Sequence, residues 1–143
     1  MKPWLLAIVA ALCGLPLALQ AASPDYHPVA KIAATEGVTY TVVQDGTDDR
    51  HVCEAANERF IGTIKAQCTQ CKILSARCAR KLRGFERNLH FGKAVAHPVV
   101  VAPGLHMAII GPRAAAAALC EKIAADAAQK GAKSASCVQP AKR

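Results

Sequence analysis

Apolar residues follow two kinds of spacing along this chain. Two long segments have apolar positions three to four residues apart, which predicts amphipathic helices over 49–66 and from 112 onward. The second helix opens at Pro112, because proline is tolerated in a first helical turn, and Gly131 is placed to end it. Short β-branched or aliphatic runs predict strands at 38–43, 72–76, 98–102, 106–110 and 135–138.

These elements follow one another as strand, helix, strand, then strand, strand, helix, strand. Pro103-Gly104 separates two of the strands and predicts a hairpin. The fold class is therefore α+β, with two β-α-β halves on one mostly antiparallel sheet in a single domain over 38–138. Three stretches lack a clear period: an irregular lead-in at 22–37, a polar and basic helical or irregular excursion at 77–93, and a basic tail at 139–143.

The two halves resemble each other around one cysteine each. Cys53 comes ten residues after Val43, and Cys120 comes ten residues after Ile110. Each half has a second cysteine where its last strand begins, at Cys71 and Cys137. Chance similarity is the alternative explanation. If the halves are related, each places a helix cysteine above a cysteine of the following strand.

The first residues have the three parts of a secretory signal peptide over 1–21. Lys2 supplies the positive charge, and Ala21 is the small residue at the cleavage position. The uncharged apolar run between them has about 16 residues, fewer than the roughly 20 that span a bilayer, although a retained anchor is the alternative. Cleavage removes Cys13 and leaves roughly 120 residues, enough for one hydrophobic core, with no transmembrane segment.

Six cysteines remain after cleavage, an even number that is typical of disulfide-bonded exported domains. Heavy use of alanine is typical of a GC-rich bacterial genome, so we expect a periplasmic or secreted protein. Two bonded cysteines have Cα atoms about 5.5–6 Å apart, a distance available between a helix and the strand that follows it. The predicted pairs are Cys53–Cys71, Cys120–Cys137 and Cys68–Cys78, one of many possible pairings.

Two strand motifs carry a resemblance to a known family. Tyr40-Thr41-Val42-Val43-Gln44 is similar to an aromatic-x-Val-Gln first strand, with one extra residue before the glutamine, and the run 107–112 is similar to a strand that ends in Gly-Pro or Gly-Ala. With these motifs the segment 38–138 resembles the SPOR-type family, ferredoxin-like modules with which bacteria bind peptidoglycan glycan strands. The aromatic residue that follows the glycine in the family is missing in both halves. The resemblance implies a ferredoxin-like fold and binding of a peptidoglycan-type glycan.

A basic segment is the clearest functional feature of the sequence. The stretch 72–93 has seven Lys or Arg residues and one acid, Glu86, in a chain of formal net charge +8. Such a surface attracts phosphorylated lipid head groups, acidic glycans or an acidic protein, and arginine can hold a phosphate or carboxylate with two hydrogen bonds. A solvated face that aids solubility is the alternative. The candidate binding residues are Arg77, Arg80, Lys81, Arg83, Arg87 and Lys93.

Other kinds of chemistry have less support. Cys68-x-x-Cys71 has redox spacing, but it follows a helix rather than opening one. An oxidising compartment and uneven spacing disfavour a four-cysteine zinc site. A calcium loop that starts at Asp45 would have Ala56 where a carboxylate is needed. The five histidines are scattered and no catalytic triad order is evident, so we expect no metal and no cofactor.

The sequence therefore predicts a non-enzymatic, exported envelope protein that binds an anionic or peptidoglycan-type glycan partner through its basic segment. One alternative is an accessory or inhibitor protein that binds another periplasmic protein. Another alternative is a small thiol-disulfide enzyme. Export and the scarcity of aromatic residues for base stacking disfavour a nucleic-acid partner.

Overall fold

The computed structural model describes residues 26–35 and 37–141, and it contains nine regular elements in that part of the chain. The helices are α1 (Arg50–Gln67), α2 (Gly84–His90) and α3 (Arg113–Gln129). The strands are β1 (His27–Thr35), β2 (Val38–Gln44), β3 (Lys72–Ala79), β4 (Val99–Ala102), β5 (Leu105–Ile110) and β6 (Ser136–Val138). The predicted signal peptide and the last two residues of the predicted tail lie outside the described residues.

All six strands form one antiparallel sheet in the order β3-β1-β2-β5-β4-β6. The predicted α+β class, with two β-α-β units on one antiparallel sheet, is confirmed. In each half, one antiparallel strand lies between the two strands that the helix connects, which is the split β-α-β arrangement of ferredoxin-like folds. Both long helices and the 98–110 hairpin lie within a few residues of their predicted positions.

The irregular lead-in predicted at 22–37 is wrong from His27 onward, because these residues form β1. The strand lies between β2 and β3, and its first four residues are all buried. A strand buried on both faces has no simple alternation of apolar and polar residues, and Pro28 argues against a strand in the sequence alone. The basic excursion at 77–93 also begins in regular structure, since β3 continues to Ala79.

Because β1 exists, the two halves have the same topology. The first half is ordered β3-β1-β2 and the second β6-β4-β5, each built as strand, strand, helix, strand. The sequence offset that relates Cys53 to Cys120 also relates Thr41 to Ala108. Thr41 and Ala108 face each other in the ladder between β2 and β5. An approximate two-fold axis therefore passes between these two residues.

Helices cover the two faces of the sheet unequally. Helix α1 packs on β1 and β3, and α3 packs on β4, β5 and β6. This α1/α3 face holds the larger core, which includes Val42 and Ile109. Helix α2 packs on β2 and β5 at the opposite face, the α2 face, where Leu89 is buried with Val43 and Ala108. Val42 and Val43 belong to different cores because successive strand residues point to opposite faces.

Three disulfides connect helices to strands or close a turn. The bonds are Cys53–Cys78, Cys68–Cys71 and Cys120–Cys137, with Cα–Cα distances of 6.0, 5.4 and 5.5 Å. Three such bonds in a small domain are typical of oxidising, extracellular compartments. No helix in the described part of the chain is long and apolar enough to cross a membrane.

The pair Cys120–Cys137 is confirmed, whereas the predicted pairs Cys53–Cys71 and Cys68–Cys78 are wrong. Helix α1 and β3 run in opposite directions, so the first turn of α1 lies beside the end of β3. Cys53 is in that first turn and therefore meets Cys78. Cys71 lies beyond the other end of the helix, about 20 Å away along its axis, and it pairs with Cys68 across the tight connection.

Peptide mapping with trypsin, without reduction, distinguishes the two pairings. We expect peptide 51–59, which contains Cys53, to be joined only to peptide 78–80, which contains Cys78. Peptide 66–72 should be cross-linked within itself, because it contains both Cys68 and Cys71. The pairing predicted from the sequence would join all three peptides, and recovery of that product would contradict the observed fold.

Gly111 joins β5 to α3 where the chain passes over the turn between β1 and β2. A Cβ atom at Gly111 would lie 2.8 Å from the carbonyl oxygen of Gly37 and 3.0 Å from Cγ2 of Val38. Gly111→Ala should therefore lower the free energy of unfolding in urea by about 1–3 kcal/mol. Gly62→Ala in α1 is the control, because no atom of a neighbouring described segment lies within 4 Å of the added Cβ. The control should raise the free energy of unfolding by about 0.5–1 kcal/mol. If Gly111→Ala and Gly62→Ala changed this free energy in the same direction, the close approach at Gly111 would be contradicted.

Candidate functional site

The predicted basic residues lie on one segment that runs from the end of β3, through α2, to the loop before β4. Arg77 is in β3, Arg87 is in α2, and Lys93 follows the turn after α2. The connection between β3 and α2 carries the remaining three, Arg80, Lys81 and Arg83. All six residues are exposed. The structure therefore places every predicted binding residue at the surface, on or beside α2.

Arg77 differs from the other five because it already has an acidic partner. Its Nη2 donates hydrogen bonds of 2.6 Å to both carboxylate oxygens of Glu86 in α2. The Glu86 side chain is only 14% exposed, so this ion pair connects β3 to α2 at a partly buried position. Arg77 thus positions α2, and its guanidinium is occupied in the observed conformation.

The other five cations have no such partner. We call these five residues the cationic segment: Arg80, Lys81, Arg83, Arg87 and Lys93. Among residues 26–35 and 37–141, none of them has a carboxylate within 4.0 Å. Their positive charges face solvent without local neutralisation, which leaves them available to an anion.

The backbone of the cationic segment is anchored at several points. Cys78, just before it, is bonded to Cys53 of α1, and Ala79 is buried. Between Arg87 and Lys93, the Leu89 side chain is 1% exposed in the core of the α2 face. An anchored segment loses less conformational freedom when it binds a partner, which favours affinity.

Three of the five histidines converge beneath α2, although they are far apart in the sequence. His27 starts β1, His90 ends α2 and His106 lies in β5. The ring centroids of His27 and His90 are 4.7 Å apart, and those of His90 and His106 are 6.1 Å apart. These histidines, which are scattered in the sequence, come together in space because strand pairing brings β1 and β5 to either side of β2.

The environment of His90 within this histidine cluster favours its neutral ring. Burial lowers the pKa of His90, and positive charge on His27 and on His106 lowers it further, while Asp45 acts in the opposite direction. The Nδ1 atoms of His90 and His106 are buried and have no hydrogen-bond partner in the described protein. His27 Nδ1 donates a 3.2 Å hydrogen bond to the carbonyl oxygen of Gln44. The described residues contain no group of three or more His, Cys, Asp or Glu side chains placed to hold a metal ion.

An apolar groove of about 340 Å³ lies beside the histidine cluster on the α2 face. Its walls include Leu89 of α2, Val99 and Val101 of β4, and Val138 of β6. The polar or charged side chains that line it are Lys93, His97, His106 and Gln139. The sequence did not reveal this groove, because its lining combines residues from α2, the following loop, the strands β4, β5 and β6, and the residues just after β6.

The chain matches no protein-family model, no curated protein and no solved structure. The resemblance to the SPOR-type family therefore stays a prediction, and a functional assignment has to come from the geometry of the molecule itself. Three features offer that geometry: the cationic segment, the histidine cluster and the apolar groove. All three lie on or beside α2.

The histidine cluster should make the stability of the fold depend on pH. The pKa of His90 in the folded chain is below its usual value of 6.5, so on acidification the unfolded chain takes up this proton first. The contribution of neutral His90 to the free energy of unfolding is therefore complete above pH 6.5. It is lost as the pH falls from there through the lowered folded value.

His90→Phe should weaken this pH dependence, because a phenyl ring takes up no proton. Urea unfolding at about pH 7.5 and about pH 5 measures it for both proteins. His51→Gln, which changes an exposed histidine in α1, is the control and should keep the wild-type dependence. An equal loss of stability on acidification in wild type and His90→Phe would contradict a role for His90.

Proposed function

We propose that this chain is an exported, non-enzymatic protein of the bacterial cell envelope that binds an anionic partner through the cationic segment. A single observation carries the proposal: five exposed cations follow one another on an anchored stretch and lack a carboxylate within 4.0 Å in the described chain. The three disulfides support an oxidising compartment, and the periplasm is the one that fits the signal-like start of the sequence.

The exposure of the cations sets the kind of binding to expect. Each exposed ion pair contributes only about 0.2–1 kcal/mol, so affinity requires several of them to act together on a polyanionic partner. Their attraction is screened over about 8 Å at physiological ionic strength, so binding should weaken as salt is added. A peptidoglycan-type glycan, which carries many carboxylates, is the partner that the SPOR-type resemblance puts first.

A thiol-disulfide enzyme has less support from the position of Cys68–Cys71. Cys68 is the residue that caps the C-terminal end of α1. The partial negative charge at a helix C-terminus disfavours the thiolate that thiol chemistry needs, whereas redox-active cysteines use helix N-termini. We therefore assign this disulfide to closure of the turn between α1 and β3.

Charge reversal in the cationic segment tests the proposal. The triple variant Arg80→Glu, Lys81→Glu, Arg83→Glu should sediment with purified cell-wall sacculi about tenfold to hundredfold more weakly than the wild type. Wild-type binding should itself decrease across a sodium chloride series. The matched control reverses three exposed lysines in and after α3, namely Lys122, Lys130 and Lys133, and changes the net charge by the same amount.

The control variant should retain most of the wild-type binding. Equal losses in both triple variants would show that net charge alone is responsible and would contradict a role for the cationic segment. Unchanged binding in the first variant would contradict it as well. If the wild-type protein does not bind sacculi at low salt, the glycan partner is wrong.

A further inference from the structure

We infer that the apolar groove on the α2 face binds a single-chain anionic amphiphile, with its alkyl chain against β4 and β6 and its acidic head beside Lys93. This site goes beyond the proposed function, because the groove lies next to the cationic segment and shares only Lys93 with it. Its volume of about 340 Å³ falls at the lower end of the range for small-molecule sites, about 300–1,000 Å³.

The apolar wall of the groove is not a requirement of the fold, as the other half of the molecule shows. On the α2 face, the outer strands of the first half carry the polar side chains of Lys31 and Arg77. The outer strands of the second half carry Val101 and Val138 on that face, and Val138 remains 52% exposed. Val138 thus exposes apolar surface at its edge of the sheet, whereas Lys31 and Arg77 place charges on the first half beside the buried Val29 and Ala79, although both halves have the same topology.

Helix α2 leaves this apolar surface open. It packs across β2 and β5 near the centre of the sheet and reaches β4 only at Val99, so in the described chain no helix packs over Val101 and Val138 on the same face. Helix α3 packs on β4 and β6 from the opposite face. The groove is therefore bordered by Leu89 of α2 on one side and by Val138 at the sheet edge on the other.

The charges around the groove select the head group of its occupant. No Asp or Glu is among its lining residues in the described chain, whereas Lys93 and two histidines are. Lys93 also has no carboxylate within 4.0 Å there. An alkyl chain with a carboxylate or phosphate end gains attraction from Lys93, and an alkylammonium ion of the same length is repelled. An anionic amphiphile therefore matches both the apolar wall of the groove and the positive charge of Lys93 beside it.

Calorimetric titration of the mature protein with linear fatty acids below their micelle concentrations tests this site. Affinity should rise about threefold to fourfold for each methylene added between hexanoate and decanoate, because each buried methylene adds to the hydrophobic gain. Acetate, which provides only the head group, should show no measurable binding. Decyltrimethylammonium should bind more weakly than decanoate, and Lys93→Gln should reduce that difference.

Two exposed valines provide a matched pair of variants. Val138 in β6 is 52% exposed and lines the groove, and Val52 in α1 is 51% exposed and lies on the other face. Val138→Glu should weaken decanoate binding by about tenfold or more, because it puts a charge in the apolar wall. Val52→Glu should leave binding within about twofold of the wild type. Val138→Thr, which keeps the shape of the side chain and suits a strand, should give a smaller loss and guards against misfolding of the first variant.

Several results would overturn the inference. Affinity that does not depend on chain length, or equal losses in Val138→Glu and Val52→Glu, would show that the groove is not the site. A different occupant would be shown if the wild type sediments as a dimer, Val138→Glu sediments as a monomer, and neither binds decanoate. The groove would then hold a second copy of this chain. The cationic triple variant should bind decanoate within about twofold of the wild type, so failure here is separate from failure of the sacculus experiment.

Discussion

The antiparallel pairing of β2 with β5 is the interaction on which the rest of this molecule depends. It joins two β-β-α-β halves into one sheet, and Thr41 and Ala108 face each other at its centre. Both residues are buried, with exposures of 2% and 0%. Because α2 packs on these same two strands, their pairing also forms the surface that holds Leu89. The cationic segment, the histidine cluster and the groove are all placed by α2, so each depends on this junction.

Disulfides fix the long helices to the edge strands of the sheet, while none of the three disulfides of the described residues crosses the junction between the halves. Cys53–Cys78 ties α1 to β3, and Cys120–Cys137 ties α3 to β6. Cross-links of this kind stabilise mainly by limiting the freedom of the unfolded chain, by about 3 kcal/mol for loops of this size. Each half is therefore locked internally, whereas packing, strand pairing and the chain segment 80–98 hold the halves together.

Much of the fold could be predicted from the sequence because most elements have a clear period. The helices around Cys53 and Cys120 and the hairpin at Pro103-Gly104 were evident from local spacing and turn residues. Strand β1 was not, because burial on both faces removes the alternation by which a strand is identified. Because β1 was missing from the predicted elements, the additional hairpin strand of the second half had no counterpart in the predicted first half. The disulfide error followed from the predicted strand at 72–76, which left Cys78 outside it, whereas β3 continues to Ala79 and brings Cys78 beside the first turn of α1.

The site was predictable only where its residues are neighbours in sequence. The cationic segment is a local run of residues, so composition alone indicated it. Arg77 was predicted with it, but its guanidinium is hydrogen-bonded to Glu86. The histidine cluster depends on which strands lie beside β2, and the groove joins Leu89 to Val138 across half of the domain. Features of this kind arise from topology, and no pattern in a single sequence displays them.

Hydrogen exchange of the protein, followed by NMR, tests the central role of the β2–β5 junction most directly. The hydrogen-bonded amides of β2 and β5 should exchange slowest, at rates set by global unfolding. Those of the outer strands β3 and β6 should exchange faster, because these strands pair on one side only. If the account is right, the amides of β2 and β5 do not exchange faster than those of the other four strands. Faster exchange there would show that the halves separate without unfolding, so that the junction does not hold the molecule together.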